Sequence, residues 1–269
     1  MSYYKQVIVS ILRLLRLLGL FEKLRSYIKF IESRFLIKKF YNQANKDFIL
    51  PPFNIAYDAY SNLDPFHYQK LGKKHAQFVS SLIKKHNKKI IKSIYEWGCG
   101  PMRVLRQLPN YFPNNNIKFY GSDYNKTSVV WASKNFPNFN ISLNDLNPPL
   151  PYPDNHFDVI YCISVFTHLS EAVSIKYIDD IYRILKKDGI FISTFHGDMN
   201  SKVLNQKEYS LYKTGNFIER GNVLEGSRIF ASYHPDLFIK KNFSKFKILE
   251  KIKCTKKNMF EQDWWVFKK

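Results

Sequence analysis

The stretch "SIYEWGCGPMRVLRQL", Ser93–Leu108, decides the fold. Its first residues read as a buried strand, Gly98-Cys99-Gly100 as a tight turn, and the run after Pro101 as a helix. A glycine turn between strand and helix lets a ligand approach the backbone and the helix N-terminus, where N–H groups have no intrahelical partner. A dinucleotide site asks for Gly-x-Gly-x-x-Gly, its last glycine permitting close helix packing. Here the pattern is Gly98-x-Gly100-x-x-Arg103, so that glycine is missing.

Working outward, short apolar runs recur near Ile90–Tyr95, Ile117–Tyr120, Phe139–Leu143, Phe157–Ile163 and Ile190–Phe195. Helical patterns lie between most of them, as in Ile178, Ile181, Tyr182 and Leu185, and a helix is expected over about His67–His86. Apolar strands alternating with amphipathic helices predict an α/β fold, a Rossmann-like, doubly wound, mostly parallel seven-stranded sheet. "KFKILEKIKC" and "DWWVFKK" read as two strands with no helix between them, an antiparallel edge pair.

Glu96 stands at the end of the first strand. A carboxylate there repels a pyrophosphate and attracts a cation; S-adenosylmethionine, with an ammonium and a sulfonium, is such a ligand. Asp123, in "FYGSDYN", follows the second strand, where a carboxylate meets ribose hydroxyls. That placement fits NAD and S-adenosylmethionine alike, and a turn aspartate is the plainer reading. Asn144-Asp145 follows the third strand, where an acid accepts from an adenine amino group.

These residues carry a resemblance. The chain resembles class I S-adenosylmethionine-dependent methyltransferases: "EWGCGPMR" is similar to the family's first motif, "GSDYN" to its ribose motif, and "LNDLNPPLPYPDNHFDVIYCISVFTHLSE" to its adenine motif running into the fourth strand. "RILKKDGIFIST" resembles the lead-in to the fifth strand, and "QDWWVFKK" the last strand of a subgroup associated with polysaccharide and glycolipid biosynthesis. The resemblance spans about Asn62 to Lys269. It implies that Glu96 holds the methionine amino group, directly or through water, and that Gly98 and Gly100 give backbone access. It further implies that Asp123 takes the ribose, Asp145 with Leu146 the adenine, and that Ile163 and Ser164 line the methionine end. The family's third glycine is Met102 here. "NPPL", Asn147–Leu150, is similar to the Asn-Pro-Pro-aromatic motif of nucleic-acid amino-methyltransferases, but it precedes the fourth strand and lacks the aromatic.

Methyl transfer to an alcohol needs close placement of the nucleophile and a base for its proton. His168 follows the fourth strand, His196 the fifth, and His234 lies in "SYHPDLF"; each is a candidate base and each also reads as a packed loop residue. The segment Gly197–Tyr233 is long for a connection, with a helical stretch around Gln206–Lys213 and glycines at 215, 221 and 226. It reads as a substrate lid or as a plain surface loop.

Composition sets the partners. Lys and Arg number 42 against 22 acids, a net charge of +20, which suits an acidic partner or a solvated lysine-rich surface. Three cysteines without CxxC or zinc spacing fit a reducing, cytoplasmic compartment, and no metal is expected. Residues 5–31 put Lys5, Arg13, Arg16 and Lys23 on one side of a helix and Ile8, Ile11, Leu12, Leu15 and Leu18 on the other. That basic amphipathic extension, residues 1–50, suits an anionic membrane surface or docking on protein. "LPPF" at Leu50–Phe53 then marks the border of the methyltransferase domain, 51–269. The expected activity is methylation of a hydroxyl on a glycan or glycolipid intermediate at the inner membrane face. RNA methylation is an alternative that lacks an amino-methylation motif, a cysteine motif and a separate RNA-binding module, and a non-catalytic binding module is another.

Overall fold

The computed structural model describes residues 18–43, 45–113, 116–220, 222–255 and 261–269. Seven strands form one sheet in the order β3-β2-β1-β4-β5-β9-β8. The strands are β1 (Ser93–Trp97), β2 (Lys118–Asp123), β3 (Asn140–Leu143), β4 (Phe157–Cys162), β5 (Leu185–Phe195), β8 (Lys247–Ile252) and β9 (Asp263–Lys268). β1 to β5 are parallel; β9 runs antiparallel to β5, and β8 to β9. A separate hairpin pairs β6 (Ile218–Arg220) with β7 (Ala231–Tyr233). The expected sheet is therefore present, edge pair included. The strand order reverses between β1 and β4, and in such sheets the crevice above the strand C-termini at that point receives the ligand.

Alternate side chains feed two cores. Tyr95, Trp97, Ile160, Cys162 and Trp265 face one layer, which contains α5 (Glu171–Ile184) and α7 (Asp236–Asn242). Ile94, Val159, Tyr161, Trp264 and Val266 face the other, built on α3 (Pro65–His86). Central strands buried on both faces need such continuous apolar runs. α3 starts where Asp64 accepts from the N–H groups of Phe66 and His67, with Pro65 in the first turn, a normal helix start. The remaining helices are α1 (Leu18–Asn42), α2 (Phe53–Tyr60), α4 (Lys126–Asn135) and α6 (Gln206–Lys213).

One expectation changes: no α-helix follows Gly100, and Leu105–Tyr111 is a 3-10 helix. Pro109 lies inside it and has no N–H to continue an α-helical ladder. Met102 upstream sits at φ 64°, the left-handed region where a glycine would be expected, with its side chain wholly buried. The turn thus keeps a glycine-like shape and gains a core residue. Gly72 of α3 lets the turn pack close, since a Cβ there would stand 2.3 Å from the Arg103 carbonyl oxygen.

The N-terminal extension touches segments on the far side of Pro51. Phe40 of α1 is fully buried and meets Phe48 and Phe66 edge-on. Glu22 accepts from Tyr57 of α2 (3.0 Å) and pairs with Arg228 in the segment after β6 (2.5 Å). The opposite side of α1 carries Leu20, Leu24, Tyr27, Ile28, Ile31 and Phe35, all exposed. Spacings of four, three and seven place them along one helical face. The part of the expected amphipathic helix before residue 18, with Lys5, Arg13 and Arg16, lies outside the described residues, as does Gly221. No helix among the described residues is long and apolar enough to cross a membrane.

Candidate active site

A cavity of about 890 Å³ opens above the C-terminal ends of the parallel strands. Gly98 (φ 75°) and Gly100 (φ 47°) form its floor, and a Cβ on Gly98 would fall 2.4 Å from a Val165 methyl. The N–H groups of Gly98 and Cys99 both donate to the Ser122 carbonyl (2.8 and 2.9 Å), tying the turn to the end of β2.

Asp123 closes the same knot. One carboxylate oxygen accepts from the Gly100 N–H and the other from the Asn125 N–H, each at 2.8 Å. Each keeps a lone pair, the arrangement two vicinal hydroxyls require. Burial lifts the Asp123 pKa to about 6. Glu96 is buried to 3% exposure and does not line the cavity, whereas its neighbours Trp97 and Gly98 do. The Tyr161 hydroxyl donates to it at 2.8 Å, and burial pushes its pKa up to about 8.

Just after β3, buried Asn144 accepts from Ser122 Oγ (2.6 Å) and donates to the Asp145 carbonyl (2.7 Å), which also accepts from the Tyr177 hydroxyl (2.8 Å). The Asp145 backbone is fixed while its side chain stays exposed on the cavity wall beside Leu146. Gly226 closes over this edge: its N–H donates to the His168 carbonyl (2.9 Å), and its carbonyl accepts from the Tyr124 hydroxyl (2.9 Å). A Cβ on Gly226 would lie 2.6 Å from Leu146. The long segment after β5 therefore covers the cavity at this point, as a lid would.

Ile163 and Ser164 leave β4 at the other end, Ser164 with φ 63°. Its N–H donates to Thr194 Oγ1 (2.8 Å), Thr194 donates to Gln262 Oε1 (2.6 Å), and Gln262 Nε2 donates back to Ser164 Oγ (2.7 Å). Gln262 and Thr194 line the cavity and were missed from sequence. The signal was present: an antiparallel last strand must begin where β5 ends, and Phe195 pairs with Asp263, so the preceding residue reaches the crevice.

The three histidines separate. His168 lines the cavity, and its Nδ1 lies 2.8 Å from the Phe230 carbonyl. A carbonyl only accepts, so the proton is on Nδ1 and Nε2 keeps a free lone pair. Burial lowers the His168 pKa. His196 is held the same way by the Ser232 carbonyl (3.0 Å), stands behind Gln262 (3.4 Å), and does not line the cavity; burial brings its pKa to about 4. His234 is sealed among Phe195, Phe217 and Phe238, and its pKa falls well below the ordinary histidine value through burial. Its ring is packed in the core and does not line the cavity. Among the described residues no three His, Cys, Asp or Glu side chains are grouped to hold a metal ion.

Residues 95–193 match a family model described as "Methyltransferase domain", a span that includes every residue assigned above to the cofactor. An S-adenosylmethionine-dependent methyltransferase from Clostridium acetobutylicum aligns with TM-score 0.51 and 15% identity, over 73% of this chain and 91% of its own. One from Methanosarcina mazei aligns at 0.52 and 14%, over 70% and 96%. One from Mesorhizobium loti aligns at 0.50 and 11%, over 72% and 98%. These neighbours share the fold. Together with the domain match they support S-adenosylmethionine as the cofactor.

Proposed function

We propose that the protein transfers a methyl group from S-adenosylmethionine to a hydroxyl of a glycan or glycolipid, with His168 as the base. The observation that carries this is the His168 ring. Its Nδ1–H donates to the Phe230 carbonyl and its basic Nε2 is left over on a cavity wall four residues beyond Ser164. Asp123 would bind the ribose hydroxyls, Asp145 and Leu146 the adenine, Ile163 and Ser164 would border the methionine, and Glu96 would reach its ammonium through water. The cofactor supplies an activated methyl on a sulfonium. The chain's part is to align the acceptor, exclude water and accept the hydroxyl proton. His196 would act behind Gln262 as a positioning residue.

Two features support a membrane-associated acceptor. The exposed apolar face of α1 carries Lys23, Arg34 and Lys38 beside it, a composition that suits an anionic lipid interface. The "QDWWVFKK" ending resembles the glycolipid-associated subgroup. The test supplies methyl-labelled S-adenosylmethionine together with lipid, polysaccharide and RNA fractions. Label entering the lipid or polysaccharide fraction, and lost in His168→Ala, supports the reading. Label entering RNA alone contradicts it.

A further inference from the structure

The segment between β6 and β7 reaches the cavity through two consecutive turns. The Ser227 N–H donates to the Leu224 carbonyl (3.2 Å), and the Phe230 N–H to the Ser227 carbonyl (3.0 Å). Gly226, at φ 80°, takes the third position of the first turn, a conformation that glycine adopts without steric cost. Arg228 takes the second position of the second turn. Both residues line the cavity.

The inner edge of this segment rests on the nucleoside wall. Gly226 is fastened by the Tyr124 hydroxyl and the His168 carbonyl, and the Glu225 carboxylate accepts from the Ser170 N–H (2.6 Å). Tyr124 follows Asp123, the residue assigned to the ribose. Leu146, assigned to the adenine, lies so close to Gly226 that a side chain there would strike it. A nucleoside held by Asp123 and Leu146 therefore has this segment along its edge.

The outer edge is anchored by charge, from α1. Arg228 pairs with Glu22, 206 residues away in sequence, their side chains 17% and 15% exposed. The same guanidinium donates to Ser61 Oγ (3.0 Å) and lies over the Tyr57 ring, 4.9 Å from its centre. The Tyr57 hydroxyl donates to Glu22 as well (3.0 Å). Breaking a largely buried ion pair is costly, because the charge left behind has neither water nor counter-charge. Arg228 released from Glu22 would turn toward solvent and draw its turn with it. Glu22 itself does not line the cavity, so it reaches a bound molecule through Arg228.

We infer that residues 224–230 are a cover on the cofactor site, held shut from α1 by the Glu22–Arg228 pair, so that the N-terminal helix sets how fast cofactor enters and leaves. This rests on the methyltransferase reading and adds the element that gates its site. Covers of this kind act on rates of entry and release as much as on chemistry.

The test follows S-adenosylhomocysteine binding to the full chain by stopped-flow tryptophan fluorescence, with Trp97 on the cavity wall as a reporter. Glu22→Gln keeps the shape of the side chain and removes its charge. A weaker closure opens both routes, so association and dissociation should each quicken by about fivefold, with affinity within about twofold of wild type. Tyr57→Phe leaves the ion pair in place and should keep wild-type rates. The inference is overturned if Glu22→Gln leaves both rates unchanged. It is also overturned if dissociation alone quickens, because the segment would then be a contact of the bound molecule and no barrier to its entry. Equal acceleration in Tyr57→Phe would overturn it too, by showing that any loosening of α1 suffices. If the wild type binds no S-adenosylhomocysteine, the methyltransferase reading fails and the cover falls with it, a result distinct from rates that do not respond.

Discussion

His168 takes any proton at Nε2, because its Nδ1 is committed to the Phe230 carbonyl. His168→Ala is expected to lower single-turnover methyl transfer by about 10²–10⁴, with cofactor affinity unchanged. The pH profile follows from the sign of the shift. A base works unprotonated, and burial sets this ring below the usual histidine value. The rate should therefore rise with pH on the acid side and level off before neutrality. A rate still climbing above pH 7 would point to another group. Met102 gives a residue-scale test of the turn. Met102→Gly relieves a left-handed backbone strain of about 1–2 kcal/mol but removes a buried side chain worth about 2–5 kcal/mol. The variant should be less stable by about 1–3 kcal/mol in denaturant unfolding. At this scale sequence reading reached Asp123 and Asp145 because each follows a strand. It could not see that Glu96 stands behind the wall, or that His234 is sealed by three phenylalanine rings, since both depend on which way a side chain turns.

α1 is clasped to α2 and to the segment after β6 through Glu22. Glu22 takes Arg228 and Tyr57 together, and Arg228 itself lines the cavity. Burial alone would raise the Glu22 pKa, but Arg228 and Tyr57 outweigh it and lower it. Its stabilisation is then present above the ordinary carboxylate range and lost as pH falls through the depressed value. Glu22→Gln should cost about 1 kcal/mol, as a partly buried pair, and raise hydrogen exchange of the residues around Arg228. Deleting residues 1–45 removes Phe40 from its aromatic pocket. The truncated protein should lose vesicle binding and also melt earlier, by about 2–4 °C per kcal/mol lost. Retained vesicle binding would place the lipid surface elsewhere. The long elements were legible because their apolar periods are sustained: α3 spans Pro65–His86 where a helix was expected over about His67–His86, and each large strand overlaps its apolar run. α7, β6 and β7, of seven, three and three residues, are too short to carry a period. The missing helix after Gly100 was misread because its apolar spacing is helical while Pro109 and the left-handed Met102 forbid the ladder.

Across the whole molecule, a net charge of +20 says that an anion is welcome but not where. Folding brings acids and cations to one cavity, Asp58, Asp123 and Asp145 with Lys70, Arg103 and Arg228. The buried acids leave a mark on stability. Glu96 rises from 4.5 to about 8 and Asp123 from 3.8 to about 6, so the folded chain holds more protons than the unfolded chain between about pH 4 and 8. Stability without cofactor should therefore fall as pH rises across that window. Cofactor should offset the loss, since an ammonium favours ionised Glu96, and its binding should release protons below pH 8. The most direct measurement is calorimetric titration of S-adenosylhomocysteine into the wild-type protein and Asp123→Ala. The account predicts one site per chain in the wild type, weakened about ten- to hundredfold in the variant through loss of the ribose hydrogen bonds. No binding to the wild type, or equal binding to both proteins, would contradict it.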